Sequence, residues 1–132
     1  NLMGAVKGCY FCVPLLKKTK GTLINVASMA GLVHMGTMSA YNASKAAVVA
    51  LSETLLSELA PFGVTVCVVC PASFPSNRLS TMRSSSADGV KVAGKLMARS
   101  PVSADDIATR VYEQSRKGRH IIIPHFREAI LW

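Results

Sequence analysis

Apolar residues recur at near-helical spacing over the first eighteen positions. Leu2, Met3, Val6, Cys9, Tyr10 and Val13 predict a helix from residue 1 to about 18. Pro14 is expected to bend that helix or end it early, because its ring removes a backbone donor and crowds the preceding turn. Gly21 opens Thr22-Leu23-Ile24-Asn25-Val26-Ala27-Ser28, with the β-branched apolar content of a strand buried on both faces. Met29 to Ser39, punctuated by Gly31 and Gly36, reads as a loop. From about Ala40 to Leu59 the period is helical again, with Ala47, Val48, Leu51, Leu55 and Leu59 on one stripe, and Pro61-Phe62-Gly63 stops it. Val64 to Cys70 predicts a second buried strand. An irregular stretch follows from Pro71 to Ser100, rich in Ser, Arg and Met, with a short helix over Val90 to Ala98. Ser103-Ala104-Asp105-Asp106 begins a third long helix with a capping Ser and two acids in its first turn. Gly118 ends it, and His120 to Ile123 forms a last short strand.

Helix, strand, helix, strand, long loop, helix, strand is the order of an α/β fold: a parallel sheet with helices on both faces. Three parallel strands are few for such a sheet, and an open edge exposes unpaired backbone groups. Further strands are therefore expected from an N-terminal half outside this sequence. The start at Asn1, without a Met and already inside an apolar segment, agrees with a piece of something longer.

The 132 residues are about the size of one domain, half of them apolar and 17% charged. No apolar run reaches the ~18 residues needed to cross a bilayer, and no signal-peptide pattern opens the chain. A cytoplasmic protein with no membrane partner is expected. The formal charge of +8 is scattered over Lys17, Lys18 and Lys20, Arg78 and Arg83, and Arg116, Lys117 and Arg119. Without a basic stripe interleaved with aromatics, no nucleic-acid partner is expected either.

Four cysteines form two C-x-x-C pairs, Cys9/Cys12 and Cys67/Cys70, which raises zinc. The pairs are too far apart for a compact zinc module and lack its knuckle residues. Cys67 and Cys70, three apart in a strand, point to opposite sheet faces. Buried, inert thiols in a reducing compartment are expected, and no metal.

The chemistry concentrates in Tyr41-Asn42-Ala43-Ser44-Lys45, where a phenol and an ammonium stand at i and i+4 on one helix face. A cation beside a phenol favours the phenolate and suits it to acid/base work near neutral pH. By itself the pair is commonplace on helices. Ser28 changes its weight, standing at a strand end thirteen residues before Tyr41. In a parallel sheet the C-terminal strand ends face the ligand crevice, and the next helix starts near that edge. A strand-end hydroxyl and a first-turn Tyr can converge on one substrate oxygen, with Ser28 donating to a carbonyl as charge develops.

Asn25-Val26-Ala27-Ser28 followed by Ala30-Gly31, then Tyr41-x-x-x-Lys45 within Ser39-Ala-Tyr-Asn-Ala-Ser-Lys-Ala-Ala-Val, resembles the active-site stretch of the short-chain dehydrogenase/reductase family. The Ser-to-Tyr spacing is included in the match. Asn1-Leu-Met-Gly, with Asn1 twenty-seven residues before Ser28, is similar to the family's helix carrying an Asn that holds a water in the proton relay. Val69-Cys70-Pro71-Ala72-Ser73-Phe74-Pro75-Ser76 resembles the segment beside the nicotinamide, with Ala72 in place of the family's Gly and Ser76 at its Thr position.

The resemblance implies a Rossmann-type doubly wound sheet of which residues 1–132 are the C-terminal, catalytic part, the N-terminal dinucleotide-binding half being absent. It implies an oxidoreductase moving a hydride between NAD or NADP and an alcohol or carbonyl substrate. Asn1, Ser28, Tyr41 and Lys45 would be catalytic, and Tyr41, Lys45, Pro71, Ala72, Phe74 and Ser76 would bind the cofactor. Met29, Met35, Met82, Leu96 and Met97 fall where the family borders its substrate, which points to an apolar one. A homodimer or homotetramer is implied, built on the helices of Asn1 and Tyr41, with Ala43, Ala46, Ala47 and Ala50 allowing close approach. Two other readings compete: a non-catalytic binding or dimerisation module on the same scaffold, and an inactive fragment of the enzyme. His34 reads as an exposed loop residue, and His120 and His125 flank the last strand without implying a metal.

Overall fold

The computed structural model describes residues 1–77, 80 and 87–125. Helix α1 (Met3–Thr19) is followed by strand β1 (Thr22–Val26), a 3-10 turn over Met29–Gly31, and helix α2 (Ser39–Leu59). A second 3-10 turn over Ala60–Phe62 leads into β2 (Thr65–Val69), then helices α3 (Ala87–Ala98) and α4 (Ala104–Arg116), and β3 (Ile121–Ile122). The strands pair in the order β1-β2-β3, all parallel. The expected α/β order is what forms, with α3 starting three residues earlier than its pattern indicated.

Alternation along β2 builds two cores. Val66 and Val68 face α1 and α2. Val66 packs with Cys9, Leu23 and Leu59, and Val68 with Ala27, Val48, Val49 and Cys70. Cys67 and Val69 face the other side with Ile122, covered by Val111 of α4. The two sulfurs of the second C-x-x-C pair therefore go to opposite faces, and both are buried.

Three expectations need correction. β1 is not buried on both faces: it alternates, with Leu23 and Asn25 buried while Ile24 is 39% and Val26 61% exposed. Among the described residues helices cover only one face of β1, and nothing packs beyond it in the sheet. Pro14 neither ends nor shortens α1, which runs through it to Thr19. Pro14 and Tyr10, whose carbonyl it leaves without a donor, lie on the exposed side, where water can satisfy that group. Cys12 is exposed rather than buried, because the apolar stripe of α1 turns toward the sheet at Cys9, Val13 and Leu16.

The ends of the helices follow from local chemistry. Ser103 caps α4 in a full capping box, its Oγ accepting from Asp106 N–H while the Asp106 carboxylate accepts from Ser103 N–H at 2.9 Å. Gly63, at φ 70°, makes the left-handed turn that sends the chain into β2. No described helix is long and apolar enough to cross a membrane.

Candidate active site

The β1–β2 ladder continues beyond both strands: Ala27 N–H donates to Val69 O at 2.8 Å and Met29 N–H to Pro71 O at 3.0 Å. Ser28 is thereby fixed in extended backbone beside Cys70. Its Oγ accepts from Ala30 N–H at 3.2 Å, capping the 3-10 turn. That bond occupies a lone pair and leaves the hydroxyl hydrogen available to a substrate.

Tyr41 lies in the first turn of α2, half-buried, and Lys45 follows one turn later. The Lys45 ammonium is 6.0 Å from the centre of the Tyr41 ring. Its Nζ also donates to Val26 O at 3.1 Å, which ties α2 to the end of β1. A close approach of backbones fixes the same junction: a Cβ on Gly31 would lie 2.7 Å from Lys45 O.

These elements enclose a cleft of about 170 Å³ at the C-terminal ends of β1 and β2. Ser28, Tyr41, Pro71, Ala72, Phe74 and Ser76 line it together with Val26, Ala27, Ser73 and Met97. Hydroxyl groups thus meet an otherwise apolar wall. Lys45 reaches the same floor through Val26 O. Asn1 does not line the cleft: it is exposed, ahead of α1, although its neighbours Leu2 and Ala5 pack on the cluster that holds Ala27 and Cys70. Of the candidate substrate-side residues that the structure describes, only Met97 reaches the cleft. Met29 is half-buried in the core beneath it, Met35 and Leu96 are exposed, and Met82 lies outside the described residues. His34 is exposed, as its loop position implied.

Beneath the cleft, burial pushes the Cys70 thiol up to about 11, against smaller lowering influences from the Ser28 backbone and the Lys45 charge. Cys70 is therefore a neutral, packed side chain here. Two polar groups escaped the sequence analysis. Asn25, within β1, donates from Nδ2 to Ser52 Oγ at 3.0 Å, and Ser52 donates to Val48 O at 2.8 Å, a buried link between strand and helix. Asn42 donates to Met35 O at 2.7 Å and so holds the loop before α2. A polar residue inside an apolar run was the available signal for Asn25; nothing local marked Asn42.

Comparison with known proteins decides the family. The short chain dehydrogenase family model matches residues 1–87, two-thirds of the chain and every cleft residue except Met97. The chain belongs to the short-chain dehydrogenase family. Within it, 2-(S)-hydroxypropyl-CoM dehydrogenase 3 of Xanthobacter autotrophicus is 34% identical over 101 residues, 74% of this chain and 40% of that protein. Estradiol 17-beta-dehydrogenase 2 of Rattus norvegicus is 39% identical over 77 residues, 58% of this chain and 20% of that protein. A short-chain dehydrogenase/reductase of Burkholderia phymatum, solved in complex with NAD, superposes with a TM-score of 0.87 at 29% identity over 99% of this chain and 52% of that one. The chain spans about half or less of the length of these short-chain dehydrogenases. The Rossmann-like architecture is shared with the Burkholderia phymatum structure.

Proposed function

We propose that residues 1–132 are the catalytic part of a single nicotinamide-dependent domain that interconverts an alcohol with a ketone or aldehyde. One observation carries this reading: the Ser28 hydroxyl at the end of β1 and the Tyr41 phenol at the start of α2 line one cleft at the strand ends. Family membership supports it, as does the complex of the Burkholderia phymatum relative with NAD.

The cleft fits the nicotinamide end of such a cofactor. Its apolar wall of Val26, Ala27, Pro71 and Phe74 suits a flat ring, and the Ser76 side chain supplies a polar contact at one side. Tyr41, Lys45, Pro71, Ala72, Phe74 and Ser76 would hold that end of NAD or NADP; the phosphate-binding glycine loop belongs to the N-terminal half. When bound, the nicotinamide supplies or accepts the hydride.

The protein's own residues manage the oxygen and its proton. Ser28 donates to the substrate oxygen and fixes the carbonyl's orientation, stabilising negative charge as it develops. Tyr41 gives a proton to that oxygen in reduction and takes it back in oxidation. Lys45 holds its ammonium 6.0 Å from the centre of the phenol ring, a counter-charge beside the proton donor. Asn1 supports the water that returns the proton. In the complete protein the N-terminal half covers the exposed β1 face and edge, and Asn1 turns toward the strand ends already contacted by Leu2 and Ala5.

The substrate is apolar. Met97 and Phe74 supply the neighbouring surface, and the relatives include two proteins named as hydroxysteroid dehydrogenases, from Caenorhabditis elegans and Homo sapiens. The exposed α1 side chains Tyr10, Phe11 and Leu15 and the exposed Ala43 and Ala50 of α2 support a homodimer or homotetramer built on these helices. Near-ultraviolet absorbance of reduced nicotinamide, followed with a panel of bulky ketones and alcohols, tests the assignment. Turnover with an apolar carbonyl and either NADH or NADPH supports it; no oxidation of either cofactor by any carbonyl contradicts it.

A further inference from the structure

β3 joins β2 in a parallel ladder that includes two successive bonds donated by the β2 side. Val68 N–H donates to His120 O at 2.7 Å, and Cys70 N–H donates to Ile122 O at 2.8 Å. A parallel ladder in the same register would next join Ala72 N–H to Pro124 O. That rung is absent. Ala72 N–H donates instead to Nδ1 of His125 at 3.2 Å, and Pro124 O accepts from Nη1 of Arg110 on α4. Two side chains have taken over the donor and the acceptor of one missing rung.

The exchange has a structural consequence at the cleft. A backbone rung would extend β2 in a straight line through Ala72. With both partners satisfied by side chains, the ladder to β3 stops at Cys70 and neither Ala72 N–H nor Pro124 O is left unpaired. His125 is only 4% exposed, and its ring lies 6.5 Å from that of Phe74, tilted by 44°. On the opposite side Met29 N–H holds Pro71 O. The segment 71–74 is therefore gripped from both flanks as it lines the cleft.

We infer that His125 and Arg110 are positioning residues that set the path of residues 72–76 by replacing a ladder rung, and through it the wall of the cleft. Nδ1 accepts, so the ring is neutral and carries its proton on Nε2. Nε2 is buried and meets no partner among the described residues, which leaves Ala72 as the polar contact that orients the ring. Both residues lie beyond the segment matched by the family model. The geometric claim stands by itself; only its effect on cofactor handling rests on the proposed function.

The test uses the full-length protein with His125→Ala, His125→Asn and Arg110→Ala. Asn presents a carbonyl oxygen close to the place of Nδ1 and keeps the acceptor. Hydrogen exchange in a peptide spanning 72–76 is expected to quicken about tenfold in His125→Ala, the size of one lost buried hydrogen bond. Arg110→Ala is expected to shift it in the same direction, and His125→Asn to restore most of the protection. The nicotinamide KM is expected to rise by a similar factor in His125→Ala with kcat changed less. Unaltered exchange in His125→Ala, or an Asn variant no better than Ala, overturns the inference. Should His125→Ala fail to fold, the imidazole nitrogen spectrum of the unmutated protein decides: a proton on Nδ1 of His125 overturns it, and an unprotonated Nδ1 supports it. Exchange effects in a protein that oxidises no reduced nicotinamide would sink the proposed function and leave the positioning role standing.

Discussion

Gly31 lies against the main chain of Lys45, so close that a single added methyl would come within 2.7 Å of Lys45 O and 2.8 Å of its carbonyl carbon. The contact joins the turn capped by Ser28 to the helix that carries Tyr41 and Lys45. Because the obstructing atoms are backbone, they cannot swing aside.

Gly31→Ala should therefore separate the two halves of the site. Overpacking of this kind costs roughly 1–3 kcal/mol, and a small displacement between reacting groups can lower activity about a hundredfold. Gly36→Ala is the control, since its Cβ would meet nothing within 4 Å. Urea denaturation and kcat/KM measured on both variants check this; equal behaviour of the two contradicts the close-approach account.

Ser28→Ala removes a hydroxyl that lines the cleft and the acceptor for Ala30 N–H. A loss in kcat of about 10²–10³ is expected, as for one donor aimed at developing negative charge. Substrate KM should change far less. A variant with raised KM and unaltered kcat would show that Ser28 serves binding alone.

The four thiols should differ in reactivity. Cys12 is exposed, whereas Cys9, Cys67 and Cys70 are buried, and burial raises both Cys67 and Cys70 from 9.0. Alkylation of the native protein should label Cys12 first, with Cys67 and Cys70 labelled only on unfolding. Since the folded pKa of Cys70 is raised to about 11, its contribution to stability is complete below 9.0 and is lost as pH rises through about 11. Replacing Cys70 with Ala should flatten that alkaline decline in the denaturation midpoint; an unchanged slope would assign the decline elsewhere.

Asp106 behaves in the opposite sense. Hydrogen bonds from the Ser103 hydroxyl and backbone hold its carboxyl below the ordinary 3.8. The cap therefore contributes above that value and is lost as pH falls through the lowered one. Asp106→Asn should weaken the start of α4 at neutral pH and reduce the acid sensitivity of the remainder. The same acid limb in both proteins contradicts this.

Features set by neighbours in sequence were legible. The stripe from Val48 to Leu59, the capping Ser103 and the β-branched run of β2 each rest on local periodicity or local hydrogen bonds, and each formed. The cleft was legible in part: Ser28, Tyr41, Pro71, Ala72, Phe74 and Ser76 line it. The rest depends on contacts distant in sequence. Whether Ile24 and Val26 are covered is decided by what packs on that face of β1, which no pattern within the strand records. His125 bonds a residue fifty-three positions away, and its role arises from the register of β3 against β2. Pro14 kept its helix because its turn faces outward, a property of packing rather than of proline.

The central claim is that Tyr41 transfers the proton, and it is tested most directly by Tyr41→Phe in the full-length protein. The change removes one oxygen and preserves the ring that lines the cleft. Turnover is predicted to fall about 10²–10⁴-fold or more, as for loss of a general acid/base, while nicotinamide affinity by fluorescence titration stays close to that of the unmutated protein. Near-normal turnover in Tyr41→Phe would contradict the account.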